Sequence, residues 1–331
     1  MRFFFRLLTF LFFLLAGLAA AAYYWANEPL RLRSNEVEFR VMPGSGLRAA
    51  VNQMQEAGIS LHPDLFALLG KGMRADTALK AGSYAIKQGV TPLTLLAKLT
   101  RGEVSQGELT FVEGWRFRQW RQRIDQHPDV RHETSGLSEE QLIQKLGIQT
   151  SSLEGLLFPD TYLFDKQSTD TEIMARAYRS MQRRLEQEWA QRAPGLPYKT
   201  PYEALIMASI VEKETGRESD RGQVAAVFVN RLRLGMLLQT DPTVIYGVGE
   251  TFDGNLRKRD LLTDTPYNTY TRAGLPPTPI AMPGTASLRA ALHPDASDAL
   301  YFVARGDGSS QFSRTLDEHN RAVNQFQRGR K

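Results

Sequence analysis

The pattern of apolar positions opens with an unbroken run. From Leu7 to Ala26 no charged residue occurs, Thr9 is the only ordinary polar side chain, and Tyr23-Tyr24-Trp25 closes the stretch. About 20 such residues cross a hydrocarbon core of roughly 30 Å as a helix, and an aromatic cluster suits the boundary where that helix leaves the lipid. The small residues Ala19–Ala22 would also suit a signal peptidase, but the run is longer than a usual signal core, which favours an uncleaved anchor over residues 1–27. Arg2 and Arg6 precede the run and Arg31, Arg33 and Arg40 follow it, so local charge does not set its orientation.

After a polar linker at 28–35 the period changes. Val37, Phe39 and Val41 alternate with Glu38 and Arg40, as in a half-buried strand. Pro43–Gly46 makes a turn, and Leu47, Ala50, Val51, Met54 and Ala57 recur at helical spacing up to Gly58. The pattern predicts a second helix near His62–Leu69 and a strand over Gly82–Ile86. A third helix is capped by Thr91, with Pro92 in its first position and Leu95, Leu96 and Leu99 as its apolar face. Residues 36–105 thus read as a small α+β unit with no paired carboxylates, a binding or spacer module.

From residue 106 the texture is that of a larger mixed α/β domain extending to 331. Leu109–Val112 is strand-like, and Glu113-Gly114 leads into a helix carrying Trp115 and Trp120. Residues 121–149 are polar and helix-prone, 153–164 read as a loop or short strand, and Glu172–Gln191 as a long amphipathic helix. Three prolines and a glycine within 193–201 separate it from a helix over Tyr202–Thr215, which Gly216 stops. At about 100° per residue, Ala204, Met207, Ala208, Ile210 and Val211 form one stripe. Glu214 falls inside that stripe, Glu212 at its edge and Lys213 on the far side. A carboxyl on an apolar face is costly when charged, and burial raises its pKa towards the range a general acid needs. The same position suits a core salt bridge to Arg217, Arg221, Arg231 or Arg233, or a frayed helix end; the wheel leaves these open.

A helix over Gln223–Leu234 is followed by two turn-rich segments. They bring together Gln239, Asp241, Thr243 and Tyr246, then Tyr267, Asn268 and Tyr270, ahead of the proline-stiffened Gly274–Pro279. Amide, hydroxyl and aromatic groups on stiff loops suit the wall of a carbohydrate cleft. Other chemistry finds less support. The absence of cysteine excludes disulfides, thiolate metal sites and cysteine nucleophiles. The five histidines lack metal-ligand spacing, so no metal is expected, and His319 reads as a helix residue near the chain end rather than part of a cleft. Gly247-Val248-Gly249 is too short for a dinucleotide loop, and Gly306–Ser309 reads as a hairpin turn. A net charge of +5 is scattered along the chain, and the only basic cluster is the tail Arg328, Arg330 and Lys331, so nucleic acid is not an expected partner.

Leu153–Tyr162, Ala208–Glu214, Asn230-Arg231-Leu232, Leu238–Thr243, Tyr267–Tyr270, Gly274–Pro277 and Tyr301–Ala304 resemble, in order, the motifs of the endolytic murein transglycosylase family, also called YceG-like. The resemblance implies a single-pass inner-membrane anchor, a LysM-like module at 36–105 and a catalytic domain at 106–331 facing the periplasm. It implies Glu214 as the catalytic acid/base, no cofactor, peptidoglycan glycan strands as substrate, and peptidoglycan synthesis enzymes as neighbours. Two other readings remain at this point: a non-catalytic peptidoglycan-binding scaffold, and a muramidase hydrolase with Asp241 as its second carboxylate.

Overall fold

A helix with no acidic residue in its first turn and no buried side chain until its end starts the chain. In the computed structural model, which describes residues 2–75 and 77–328, α1 covers Arg2–Asn27. An 18-residue stretch of it has a mean hydropathy of 2.2, and at about 39 Å the helix is long and apolar enough to cross a membrane. Phe3, Phe5, Phe12 and Phe13 point outward with no protein over them, as expected of a helix whose partner is lipid. The tail cations Arg330 and Lys331 lie outside the described residues.

The described residues form two compact units. The first comprises residues up to 108 with 129–131 and 163–168. Here β1 (Arg31–Leu32) comes first, then β2 (Glu36–Val41), α2 (Leu47–Glu56), β3 (Ile59–Ser60), α3 (Pro63–Gly72), β4 (Gly82–Lys87) and α4 (Pro92–Arg101). The segment expected as a plain linker supplies β1, which pairs antiparallel with β3. Antiparallel pairing of β2 with β4 sets Phe39 opposite Tyr84, their rings stacked at 5.6 Å. Val37, Phe39 and Val41 point inward to meet Met54, Phe66, Leu95 and Leu99. The Thr91 hydroxyl accepts the Thr94 amide in a capping box, and Gly102, at φ 71°, ends α4 in the left-handed conformation that glycine adopts freely.

The second unit holds the rest. β5 (Gln106–Thr110) and, later in the chain, β6 (Thr161–Asp165) are each divided between the two units, and the second unit holds α5 (Phe117–Asp125), α6 (Glu139–Leu146), α7 (Asp170–Ala190), α8 (Pro201–Glu214) and α9 (Arg221–Arg233). Next are α10 (Asp241–Val248), α11 (Lys258–Leu262), α12 (Thr285–Leu292), the antiparallel hairpin β7 (Tyr301–Ala304) and β8 (Ser310–Ser313), and α13 (Leu316–Val323). Trp115 precedes α5 rather than riding on it. Trp120 within α5 is buried and stacks on Phe111 with ring centroids 3.6 Å apart.

The helix α8 departs most from its expected form. Every residue from Ala204 to Val211 is buried, because α7, α9, α10 and α12 all pack on it. The expected one-sided stripe is therefore part of an all-round core helix, the reading that fits its run of eight residues with only one polar member, Ser209. That residue is satisfied: its hydroxyl donates to the Ile206 carbonyl at 2.7 Å and accepts the Ile280 amide at 3.0 Å. Ser209→Ala should leave a buried amide unpaired and cost about 1–3 kcal/mol, measurable as a lower denaturation midpoint; an unchanged midpoint would mean that the 276–283 segment does not depend on this bond.

Candidate active site

Being encased, α8 delivers its last residue, Glu214, to the edge of the core. The carboxyl is half-buried, and its Oε1 accepts a hydrogen bond from the hydroxyl of Thr240. Burial raises its pKa above the ordinary value; the Thr240 hydroxyl opposes this and the charge of Asp241 adds to it. Among the described residues none of the four arginines weighed from the sequence forms an ion pair with it. Arg231 instead donates to the carbonyls of Leu300 at 2.7 Å and Leu238 at 2.9 Å, and Arg233 to Gly195. A hydroxyl partner can donate to a carboxylate and accept from a carboxylic acid, so it holds the group in either protonation state; an arginine would fix it as an anion.

Two further threonines hold that partner in place. Thr240 is buried, its amide donates to Thr269 Oγ1 at 3.1 Å, and Thr243 Oγ1 donates to the Thr240 carbonyl at 2.7 Å while pairing with Thr269 Oγ1 at 2.8 Å. Gln239, at φ 50°, takes the left-handed conformation uncommon for a side-chain-bearing residue. Its amide reaches the Thr269 carbonyl at 3.1 Å, so the bend before α10 is tied to the Tyr267–Tyr270 loop. Asn268 is wholly buried and clamps that loop: Nδ2 donates to Thr263 at 2.7 Å, and Oδ1 accepts the Tyr270 amide at 2.8 Å. Tyr270 in turn donates its hydroxyl to Asp241 Oδ1 at 2.6 Å. The result is a cavity of about 370 Å³, lined by Glu214, Gln239, Asp241 and Tyr270 and also by Arg231, Tyr301 and His319.

A larger cavity of about 670 Å³ lies in the same unit, lined among others by Arg116, Glu154, Tyr246 and Phe252. Burial pushes Glu154 up to about 7. Both of its oxygens are occupied, one by the Phe117 amide at 3.0 Å and the other by the Tyr246 hydroxyl at 3.2 Å. Glu154 therefore pins the start of α5 to α10, a structural task that accounts for a buried acid without chemistry. One histidine does meet carboxylates, a grouping the sequence spacing concealed: His132 lies with Asp125 and Asp170. Asp170 is already taken up by the amides of Glu133 and Thr134 and by the Thr134 hydroxyl, and Asp125 by Arg121.

The sequence profile of the YceG-like family matches residues 39–325. The chain belongs to the YceG-like family. A relative named endolytic murein transglycosylase, from Bacillus subtilis (strain 168), is 32% identical over 324 residues, covering 90% of this chain and 87% of its own. A protein of the same name from Streptococcus pneumoniae serotype 2 (strain D39 / NCTC 7466) is 27% identical over 96% of this chain, which spans 63% of the pneumococcal protein. The crystal structure of a YceG-like protein of Listeria monocytogenes aligns with a TM-score of 0.55 at 28% identity, covering 87% of this chain and 98% of that one.

Within this YceG-like fold the candidate residues divide by location. Glu214, Gln239, Asp241 and Tyr270 line the smaller cavity. Tyr246 lines the larger one, and Tyr267 packs on its ring at 4.7 Å with its hydroxyl on Thr278. Thr243 and Asn268 are fully buried and act inside the protein, not on a surface a sugar can reach. Arg231, Tyr301 and His319 also line the cavity: a lone histidine without ligand spacing gives no sequence signal, and only the fold brings α13, which packs on β7 and β8, to the cavity that Glu214 lines. Glu154 yields a stability prediction. Its pKa rises on folding from 4.5 to about 7, so its stabilising contribution is complete below about pH 4.5 and is lost as pH rises through 7, by about 3 kcal/mol in all. Glu154→Gln should remove this dependence, so that melting temperature falls between pH 5 and 8 for the parent and stays level for the variant; parallel curves would refute the assignment.

Proposed function

We propose that this chain is a membrane-anchored lytic murein transglycosylase that cuts within nascent glycan strands, with Glu214 as its one acid/base group. The observation that carries the reading is a carboxyl of raised pKa at a cavity wall, held by a hydroxyl and by no arginine. Protonated Glu214 donates to the oxygen joining N-acetylmuramic acid to N-acetylglucosamine while oxocarbenium character develops at the muramoyl anomeric carbon. The carboxylate left behind takes the proton of the muramoyl 6-hydroxyl, whose oxygen closes a 1,6-anhydro ring and regenerates the acid. One carboxyl suffices because the substrate supplies the nucleophile, and no cofactor enters the scheme. Gln239, Asp241 and Tyr270 would grip the strand beside the reacting bond, with Tyr246 further along and Thr243, Asn268 and Tyr267 fixing their loops. The anchor would hold the catalytic domain on the periplasmic face of the inner membrane, near the synthesis enzymes, with the LysM-like module at 36–105 bound to glycan.

Asp241 in the same cavity favours one rival, a muramidase in which that carboxylate activates water. Product mass separates the two, because anhydro ends are one water lighter than reducing ends. Purified sacculi treated with the detergent-solubilised chain should release anhydro products. Glu214→Gln should slow release by roughly 10²–10⁴-fold with an unaltered melting temperature. Reducing ends would establish the hydrolase, and failure of the parent chain to cleave would leave the scaffold.

The two neighbours of Glu214 move its pKa in opposite senses. Thr240→Val removes the bond that lowers it, so the alkaline limb of the kcat/KM profile should move to higher pH. Asp241→Asn removes the charge that raises it, so the limb should move to lower pH. Displacement of both limbs in the same direction would exclude Glu214 as the titrating acid.

A further inference from the structure

The lining of the Glu214 cavity includes a histidine for which the mechanism has no use. His319 lies on α13, which is fixed at its start by Thr315, whose hydroxyl accepts the Glu318 amide in a capping box. The imidazole stacks on Tyr301, with centroids 5.3 Å apart and planes 27° from parallel. The Arg231 guanidinium lies 5.1 Å from the centre of the same tyrosine ring, and Arg231 is itself held by backbone carbonyls of Leu300, Leu237 and Leu238. The orientation of the imidazole is thus set by a ring which is set by an anchored cation, the kind of support a recognition group requires.

Its two nitrogens differ. Nδ1 is buried with no hydrogen-bond partner. A buried N–H without an acceptor is rarer and more costly than an unpaired acceptor, so the neutral imidazole carries its proton on Nε2, leaving that nitrogen as the one able to donate to a molecule in the cavity. Protonating Nδ1 as well would bury a donor without an acceptor. Burial first, and then the charge of Arg231, hold the group below its ordinary pKa. His319 is therefore a neutral donor at neutral pH, distinct in role from the acid in the same cavity. Beside it the wall is apolar, with Phe302, Phe228 and Leu316.

We propose that His319 is a specificity-determining residue of this cavity, donating a hydrogen bond from Nε2 to the carbonyl oxygen of a sugar N-acetyl group whose methyl rests on the adjacent apolar wall. A donor next to an apolar surface matches the two ends of an acetamido group, and a bare hydroxyl would leave that surface without a partner. The proposal rests on the assignment of the Glu214 cavity to glycan strands.

The test uses the full-length chain in detergent with two substrates, fully N-acetylated strands and the same strands chemically de-N-acetylated. His319→Phe keeps a ring on Tyr301 but has no donor; His319→Gln restores an N–H. With acetylated strands His319→Phe should raise KM about tenfold, the equivalent of one hydrogen bond, and leave kcat within about threefold of the parent. De-N-acetylated strands should show no change in KM, and His319→Gln should recover part of the loss. Equal losses on both substrates would reveal a packing role, an unchanged KM on acetylated strands would remove the hydrogen bond, and a fall in kcat as deep as that of Glu214→Gln would make the residue part of the chemistry; each overturns the proposal. A binding measurement separates this from failure of the acid assignment. A chito-oligosaccharide titrated into Glu214→Gln and into Glu214→Gln/His319→Phe should bind about tenfold more weakly to the second, whether or not Glu214 is the acid; equal affinities would refute the role of His319.

Discussion

The burial of α8 on all sides is the constraint from which the site follows. A helix with no free face has only its ends to offer to solvent, and its C-terminal residue is a glutamate. At that end the helix dipole is negative and opposes a carboxylate, burial opposes it too, and the nearest partner is a hydroxyl. The first two favour the neutral acid and the hydroxyl bond favours the anion, with the balance towards the acid. The chemistry proposed for Glu214 needs the same bias in its resting state and needs it to be small enough to reverse, a balance a threonine can provide and an arginine cannot.

That threonine is held from several directions. Thr240 ends a bend whose preceding residue has a positive φ; its amide is tied to Thr269, and its carbonyl to Thr243 at the start of α10. Asn268 fixes the same loop from below and so places Tyr270 against Asp241. Fully buried hydroxyl and amide groups of this kind are costly unless each finds a partner. Here the partners belong to one another, so the bend before α10 and the Tyr267–Tyr270 loop form a single hydrogen-bonded body.

Much of this was legible in the sequence where the signal is local. The alternation at Val37–Val41, the Thr91-Pro92 helix start, the Gly306–Ser309 turn and the apolar run of α1 all rest on neighbours within a few residues, and the elements are found there. Glu214 stood out because a charge on an apolar stripe conflicts with its surroundings at short range. The segment 241–248 was harder: Gln-Thr-Asp-Pro reads as a turn, yet Pro242 sits in the first turn of α10, where its missing amide costs nothing. The all-round burial of α8 was hidden because it depends on four other helices. Thr243 and Asn268 suit a cleft wall by sequence because polar residues on turn-rich segments face water more often than not; only the fold shows that their bonds are spent inside.

Three glutamates in the second unit, Glu113, Glu154 and Glu214, have pKa values raised by burial, and a comparison of the last two shows what such a shift does and does not reveal. Glu154 lies in the larger cavity, and its shift alone would single it out. Its oxygens nevertheless each meet a donor fixed on another element, the α5 amide and the α10 tyrosine, so a ligand could reach it only by breaking bonds that hold those helices together. Glu214 has one bond, to a hydroxyl, and lines a cavity together with a cation, two tyrosines and a histidine with no protein acceptor or donor on its inner nitrogen. Desolvation supplies the altered acidity in both places. What distinguishes them is spare hydrogen-bonding capacity facing open space, and it is this that a glycosidic oxygen would meet.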